Sequence, residues 1–181
     1  MKIALAILIL LVVVGWLGFQ VRPLPFAPFA GPSADDGSAV PVPTGLPQPV
    51  ATFYANAYGD TVPVVDSVVI TGRGRIRPFG LWMPARFRFT HDVGRGYRHY
   101  IEATWFGLPI MKVNESYLGG QGRMELPWAT ATGPEIEQAM NVSMWAELSS
   151  AAPSVFLTDP RVSWEPIDAH TAVLRVPFGE G

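Results

Sequence analysis

Val64-Val65-Asp66-Ser67-Val68-Val69-Ile70-Thr71-Gly72-Arg73-Gly74-Arg75-Ile76-Arg77 opens a run of extended pieces. Trp82 to His91, Tyr97 to Phe106, Pro109 to Leu118 and Gln121 to Pro127 follow it. Each has strand length and is rich in β-branched or aromatic residues, and the breaks at Phe79-Gly80, Val93-Gly94-Arg95-Gly96 and Gly119-Gly120 carry turn residues. The run reads as an antiparallel meander. Side chains alternate across a strand, so Phe87 and Phe89 share one face while Arg86, Arg88 and Thr90 share the other. In the first piece Val68, Ile70 and Ile76 line one face, opposite Thr71, Arg73, Arg75 and Arg77. One face of the sheet is therefore apolar and the other cationic. Tyr97 to Phe106 is apolar on both faces, as a covered central strand is. Gly72 and Gly74 predict a bulge or a close backbone approach that curves the sheet.

Two helices fit around this meander. Between Gly45 and Gly59, Val50, Phe53, Tyr54 and Ala57 follow helical spacing, with prolines at the entry and a glycine at the exit. This short helix is expected to dock on the sheet. From Pro134 to Ala151, Ile136, Met140, Met144 and Leu148 recur every four residues after Thr132-Gly133-Pro134-Glu135, which has capping-box spacing. Pro153 ends that helix. Two last strands, Arg161 to Glu165 and Ala172 to Phe178, flank a turn at Asp168-Ala169-His170, and Gly179-Glu180-Gly181 reads as the start of a further hairpin.

Upstream, Ile3 to Phe19 is an unbroken apolar run flanked by Lys2 and by Gln20 and Arg22. It has the length of a short membrane helix and no small-x-small cleavage pattern, so it is expected to be an uncleaved signal anchor over residues 1–21. Residues 22–45 are rich in proline and are expected to be a stiff linker, or a strap carrying Leu24, Phe26 and Phe29 across the body. Residues 46–181 form the sheet-plus-helix domain. The fold class expected is α+β: an N-terminal membrane helix, then a curved, half-barrel-like antiparallel sheet with a helix packed on its concave face.

Composition narrows function more than it defines it. The chain has no cysteine, which excludes disulfides, thiolate metal sites and cysteine nucleophiles. A net charge of −2 gives no broad basic field for nucleic acid. His91, His99 and His170 lack the i+2 to i+4 spacing of a metal-binding helix, so neither a metal nor another cofactor is expected. No G-x-S-x-G elbow is present, and the glycine strings match neither dinucleotide nor P-loop spacing. Asn141-Val142-Ser143 has the N-glycosylation pattern but falls on a predicted helix.

Three functional readings remain open. The first is an apolar ligand, a lipid or acyl chain or a lipoprotein segment, held in a sheet–helix cleft lined by Trp105, Phe106, Met111, Met140, Met144 and Trp145. The second is a structural or interaction module using Arg73, Arg75, Arg86 and Arg88 or an open sheet edge. The third is a hydrolase-type enzyme using His99, Tyr100 and Glu102 or Glu115.

Several strings also carry a resemblance: Ser67 to Arg75, Trp82 to Phe89, Gly107 to Met124, Trp145-Ala146-Glu147 and Arg161 to Pro166. Their most specific part is Leu108-Pro109, then Ser116-Tyr117, then Gly120-Gln121-Gly122. Over about residues 45–181 the chain resembles an uncharacterised bacterial family known only as a domain of unknown function. The resemblance implies a membrane-tethered domain without established activity or catalytic residues. The anchor and its flanks, Lys2 and Arg22, are what place the body outside the cytoplasmic membrane in this reading, single-pass, with the membrane itself as a partner. The resemblance also implies a further strand after Val176-Pro177-Phe178-Gly179. More loosely, strands followed by a helix and further strands look like the half-barrels of periplasmic lipoprotein carriers.

Overall fold

The computed structural model describes residues 2–27 and 37–178. Phe29, with the prolines at 28 and 32, and the turn at Gly179 to Gly181 lie outside the described residues. The elements run α1 (Lys2–Gly18), β1 (Ala39–Pro41), α2 (Gln48–Tyr58), β2 (Thr61–Pro63), β3 (Ser67–Ile76), β4 (Met83–Asp92), β5 (Gly96–Trp105), β6 (Leu108–Leu118), β7 (Gln121–Leu126), β8 (Ala129–Thr132), α3 (Pro134–Ala151), α4 (Val155–Thr158), β9 (Ser163–Pro166) and β10 (Ala172–Arg175). β3 to β8 pair in chain order as one antiparallel six-stranded sheet, and β1–β2 and β9–β10 are separate hairpins. The class is α+β. β8 is additional to the strands read from the sequence, because its Ala-Thr-Ala-Thr carries no apolar alternation; pairing with β7 creates it.

The β3–β4 register runs without a slip from Ser67 opposite Asp92 to Ile76 opposite Met83, so no bulge interrupts the glycines there. Gly72 instead permits a close approach, since a Cβ on it would stand 2.5 Å from the Phe87 ring. The slip lies between Ala103 and Thr104, where β5 meets β6. In a flat sheet the β3–β4 and β7–β8 connections, four spacings apart, would be about 19 Å from each other. The Phe79 and Trp128 rings on those connections are 4.7 Å apart, so the sheet curls and its two ends meet.

α3 lies against β6, β7 and β8. Met140, Met144, Trp145 and Leu148 bury its inner stripe against Tyr97, Tyr117, Val155 and Phe156. Full burial of each large apolar side chain contributes about 1.5–3 kcal/mol. The helix starts differently from the sequence pattern: Gly133 is its N-cap, at φ 113°, and no side chain caps it. α2 has its proline entry and its Gly59 exit at φ 78°. It docks away from the six-stranded sheet, where Val50 and Tyr54 pack with Val62, Leu157, Trp164 and Ala172. The Tyr54 hydroxyl donates to the Pro153 carbonyl at 2.6 Å and ties α2 to the segment after α3.

The N-terminal expectation is overturned. Among the described residues no helix is long and apolar enough to cross a membrane. α1 has 17 residues, about 25 Å of helix against a hydrocarbon layer of about 30 Å. Its last turn is committed to the body: the Trp105 indole N–H donates to the Gly15 carbonyl at 3.0 Å, and the Phe106 N–H donates to the Gly18 carbonyl at 2.9 Å. Further along, Phe26 packs on Tyr100, at 5.5 Å between ring centres, and under the guanidinium of Arg86.

Candidate metal centre

The β4–β5 hairpin fixes two histidines on one face. His91 stands opposite Tyr97 and Phe89 opposite His99, two residue pairs along the ladder, so the imidazoles point to the same face. Glu115 on β6 is opposite His99. α3 closes over this face, and Glu147, three residues after Met144 on the edge of the apolar stripe, reaches down between the imidazoles. Glu147 Oε2 is 2.9 Å from His91 Nε2 and 3.0 Å from His99 Nε2. The three donor atoms all lie within 4.8 Å of one another.

The His91 side chain is fully buried and that of His99 is 5% exposed, whereas Glu147 keeps 30% and faces the opening. His99 is clamped by its neighbours on the sheet: Phe89 and Tyr97 stack on it, with ring centres at 3.9 Å and 4.1 Å. Glu115 sits behind it, 3.9 Å from Nδ1, and accepts the Tyr97 hydroxyl hydrogen bond. Burial, and then Glu115, push the Tyr97 phenol far above its ordinary value, so it stays protonated and keeps donating.

His91 Nε2, His99 Nε2 and Glu147 Oε2 have no close polar neighbour among the described residues except one another. Burial pushes the Glu147 carboxyl up, yet the two imidazoles at contact distance outweigh it and hold the group at about 2. It is a carboxylate, able to donate electron pairs. Metal–donor bonds of about 2.0–2.1 Å at tetrahedral angles put donor atoms about 3.3 Å apart. The two separations from Glu147, 2.9 Å and 3.0 Å, fall within a few tenths of an ångström of that edge length, and the two imidazole nitrogens lie within 4.8 Å of each other.

The residues expected to line an apolar cleft fall in three separate places. Met140, Met144 and Trp145 are core. Trp105 and Phe106 sit at the foot of α1, and Met111 is half-buried on β6 opposite Ala103. Arg73 does stand opposite Arg86, and Arg88 is one pair further along the same face. Arg86 bridges Glu102 at 2.7 Å, and Tyr100 donates to the same carboxylate at 2.6 Å. The trio of His99, Tyr100 and Glu102 is split by strand alternation. His99 and Glu115 face α3, while Tyr100 and Glu102 face the other way.

Sequence reading missed Glu147 because a carboxylate beside an apolar helical stripe looks like its solvated border. The signal for the histidines was present: positions 91 and 99 flank a tight turn symmetrically enough to share a face. A model of a family of unknown function, DUF6544, matches residues 40–181. No curated protein and no solved structure matches the chain.

Proposed function

The chain belongs to that family of unknown function, and from its own side chains we propose that it binds one divalent transition-metal ion through His91, His99 and Glu147. The observation that carries this reading is the convergence of two buried imidazole nitrogens on one carboxylate oxygen, at 2.9 Å and 3.0 Å, with all three donor atoms within 4.8 Å of one another. Two imidazoles and a carboxylate suit zinc first among the divalent metals. Three protein donors with Glu147 at the opening leave a position for water or a small ligand, the pattern of reactive rather than purely structural centres.

The untagged full chain, incubated with Zn²⁺ and dialysed, is expected to retain one equivalent, and Co²⁺ is expected to give visible ligand-field absorption of low-symmetry coordination. His91→Ala and Glu147→Ala should each abolish both, while His170→Ala should not. A wild-type chain that retains no metal, or retention indifferent to His91 and Glu147, overturns the proposal.

A second reading has its own observation. An apolar groove of about 350 Å³ lies between α2 and the β9–β10 hairpin, lined by Val50, Phe53, Tyr54, Phe156, Trp164 and Leu174. It supports an acyl chain as ligand, away from the cleft first expected. Uptake of a fluorescent fatty acid that is lost in Phe53→Asp tests it, and no uptake by the wild type rejects it.

A further inference from the structure

Antiparallel order puts the β3–β4, β5–β6 and β7–β8 connections at one end of the sheet. That end is apolar. Phe79 (78% exposed), Leu81 and Trp82 form the first tip, Phe106 and Leu108 (67%) the second, and Trp128 (54%) the third. Phe79 and Trp128 touch, so the first and third tips meet, and the second lies at the same end of the sheet. α1 leaves the body at this same end, through Trp105 and Phe106, with its aliphatic side chains exposed along its length.

The backbone holds these rings outward against its own preference. Among the described residues the only non-glycine positions with positive φ are Phe79 at 53° and Phe106 at 50°. A bulky side chain rarely adopts that conformation, and such positions mark places where the chain's function sets the geometry. Here both are aromatic, exposed and at the same end. A ring left largely in water at the tip of a tight turn buries little apolar area for the fold.

Charge lies one layer behind the rings. Arg22, Arg73 and Arg75 line a cavity of about 290 Å³ beside the end of α1, with Gln20 and no carboxylate in its wall. Arg75 also donates to the Trp82 carbonyl at 3.2 Å, and the Arg77 guanidinium lies 5.8 Å from the Trp82 ring. At about 3.3 Å per residue, Arg75 and Arg73 stand roughly 7 and 13 Å back from Arg77 at the tip. Aromatic rings at the acyl boundary with cations at phosphate depth is the layering of a protein seated on a bilayer.

We propose that this end of the molecule is a lipid-docking surface, in which the three hairpin tips enter the headgroup–acyl boundary and Arg22, Arg73 and Arg75 take an anionic lipid phosphate. The body rests on the bilayer without crossing it. α1 adds apolar area to the same layer. The occupant is a lipid surface rather than a second copy of the chain, because the cationic cavity would face its own like charges across a symmetric contact.

The absence of cysteine allows a direct test in the full chain. Trp128→Cys, at a tip, and Arg95→Cys, on the β4–β5 turn at the opposite end, each carry an environment-sensitive fluorophore. With vesicles of phosphatidylcholine and phosphatidylglycerol, the label at 128 is expected to brighten severalfold and shift to the blue, and the label at 95 to stay unchanged. Vesicles of phosphatidylcholine alone should bind at least tenfold more weakly, a preference removed by Arg73→Glu with Arg75→Glu. A label at 128 that does not respond overturns the proposal even if the chain sediments with vesicles, because α1 is then acting alone. So does an equal response at both ends, a response without vesicles, or indifference to anionic lipid.

Discussion

Two regions of this molecule break the usual partition in opposite directions. Under α3 the sheet buries two imidazoles whose Nε2 atoms meet only one carboxylate oxygen; at the hairpin end it leaves large apolar rings in water. Each departure costs free energy in the chain by itself. The comparison teaches that the cost falls where a ligand of matching chemistry would remove it. In the readings proposed above, a cation would complete the first region and an apolar layer with anionic phosphates the second. The rest of the sheet, where Phe87 and Phe89 face in and Arg86 and Arg88 face out, follows the ordinary rule.

The largest effect should come from the element that separates the two regions. Leu148→Ala removes a fully buried side chain next to Glu147, and thermal or denaturant unfolding should show a loss of about 2–5 kcal/mol. Metal retention should fall with it, since α3 carries Glu147. Vesicle docking of the folded fraction should be unchanged. Loss of docking in that fraction would join regions that the comparison keeps apart.

Next comes a direct exchange between stability and docking. Phe79→Gly relieves a positive φ worth about 1–3 kcal/mol and gives up only an exposed ring. The unfolding midpoint should rise while binding to anionic vesicles falls several-fold, and a midpoint that drops would mean that Phe79 is held for packing.

The smallest effect concerns a region outside both. Burial raises the Asp159 carboxyl pKa, but the Arg161 guanidinium, which grips it in two hydrogen bonds, holds it below the usual carboxylate range. The folded value is depressed, so this contribution is complete above the unfolded value of about 3.9 and disappears as pH falls through the folded value. A modest drop in midpoint between pH 5 and pH 3, reduced in Asp159→Asn, is expected. A variant with the same pH profile as the wild type would assign the acid sensitivity elsewhere.

Much of the architecture is legible in local pattern. Glycine-bearing turns spaced about ten residues apart define β3 to β7, and the four-residue recurrence from Ile136 to Leu148 defines α3 to its last residue. Alternation separates the arginine face from the phenylalanine face. The N-terminal run misled, because hydropathy alone does not say whether a helix is long enough to cross a membrane or where its last turn is fastened. β8 was invisible because its residues have no pattern of their own. The metal centre was half visible, with its histidines in the hairpin register and its carboxylate hidden in a helix.

By itself the sequence determined which residues extend, which coil and which face each turns, because those choices depend on neighbours two to four positions away. Only the tertiary structure decided that Glu147 meets His91 and His99, and that Phe79 meets Trp128. Those contacts join residues tens of positions apart, and they depend on how far the sheet curls and where α3 settles on it. No local periodicity encodes either quantity, because both are set by packing across the whole core.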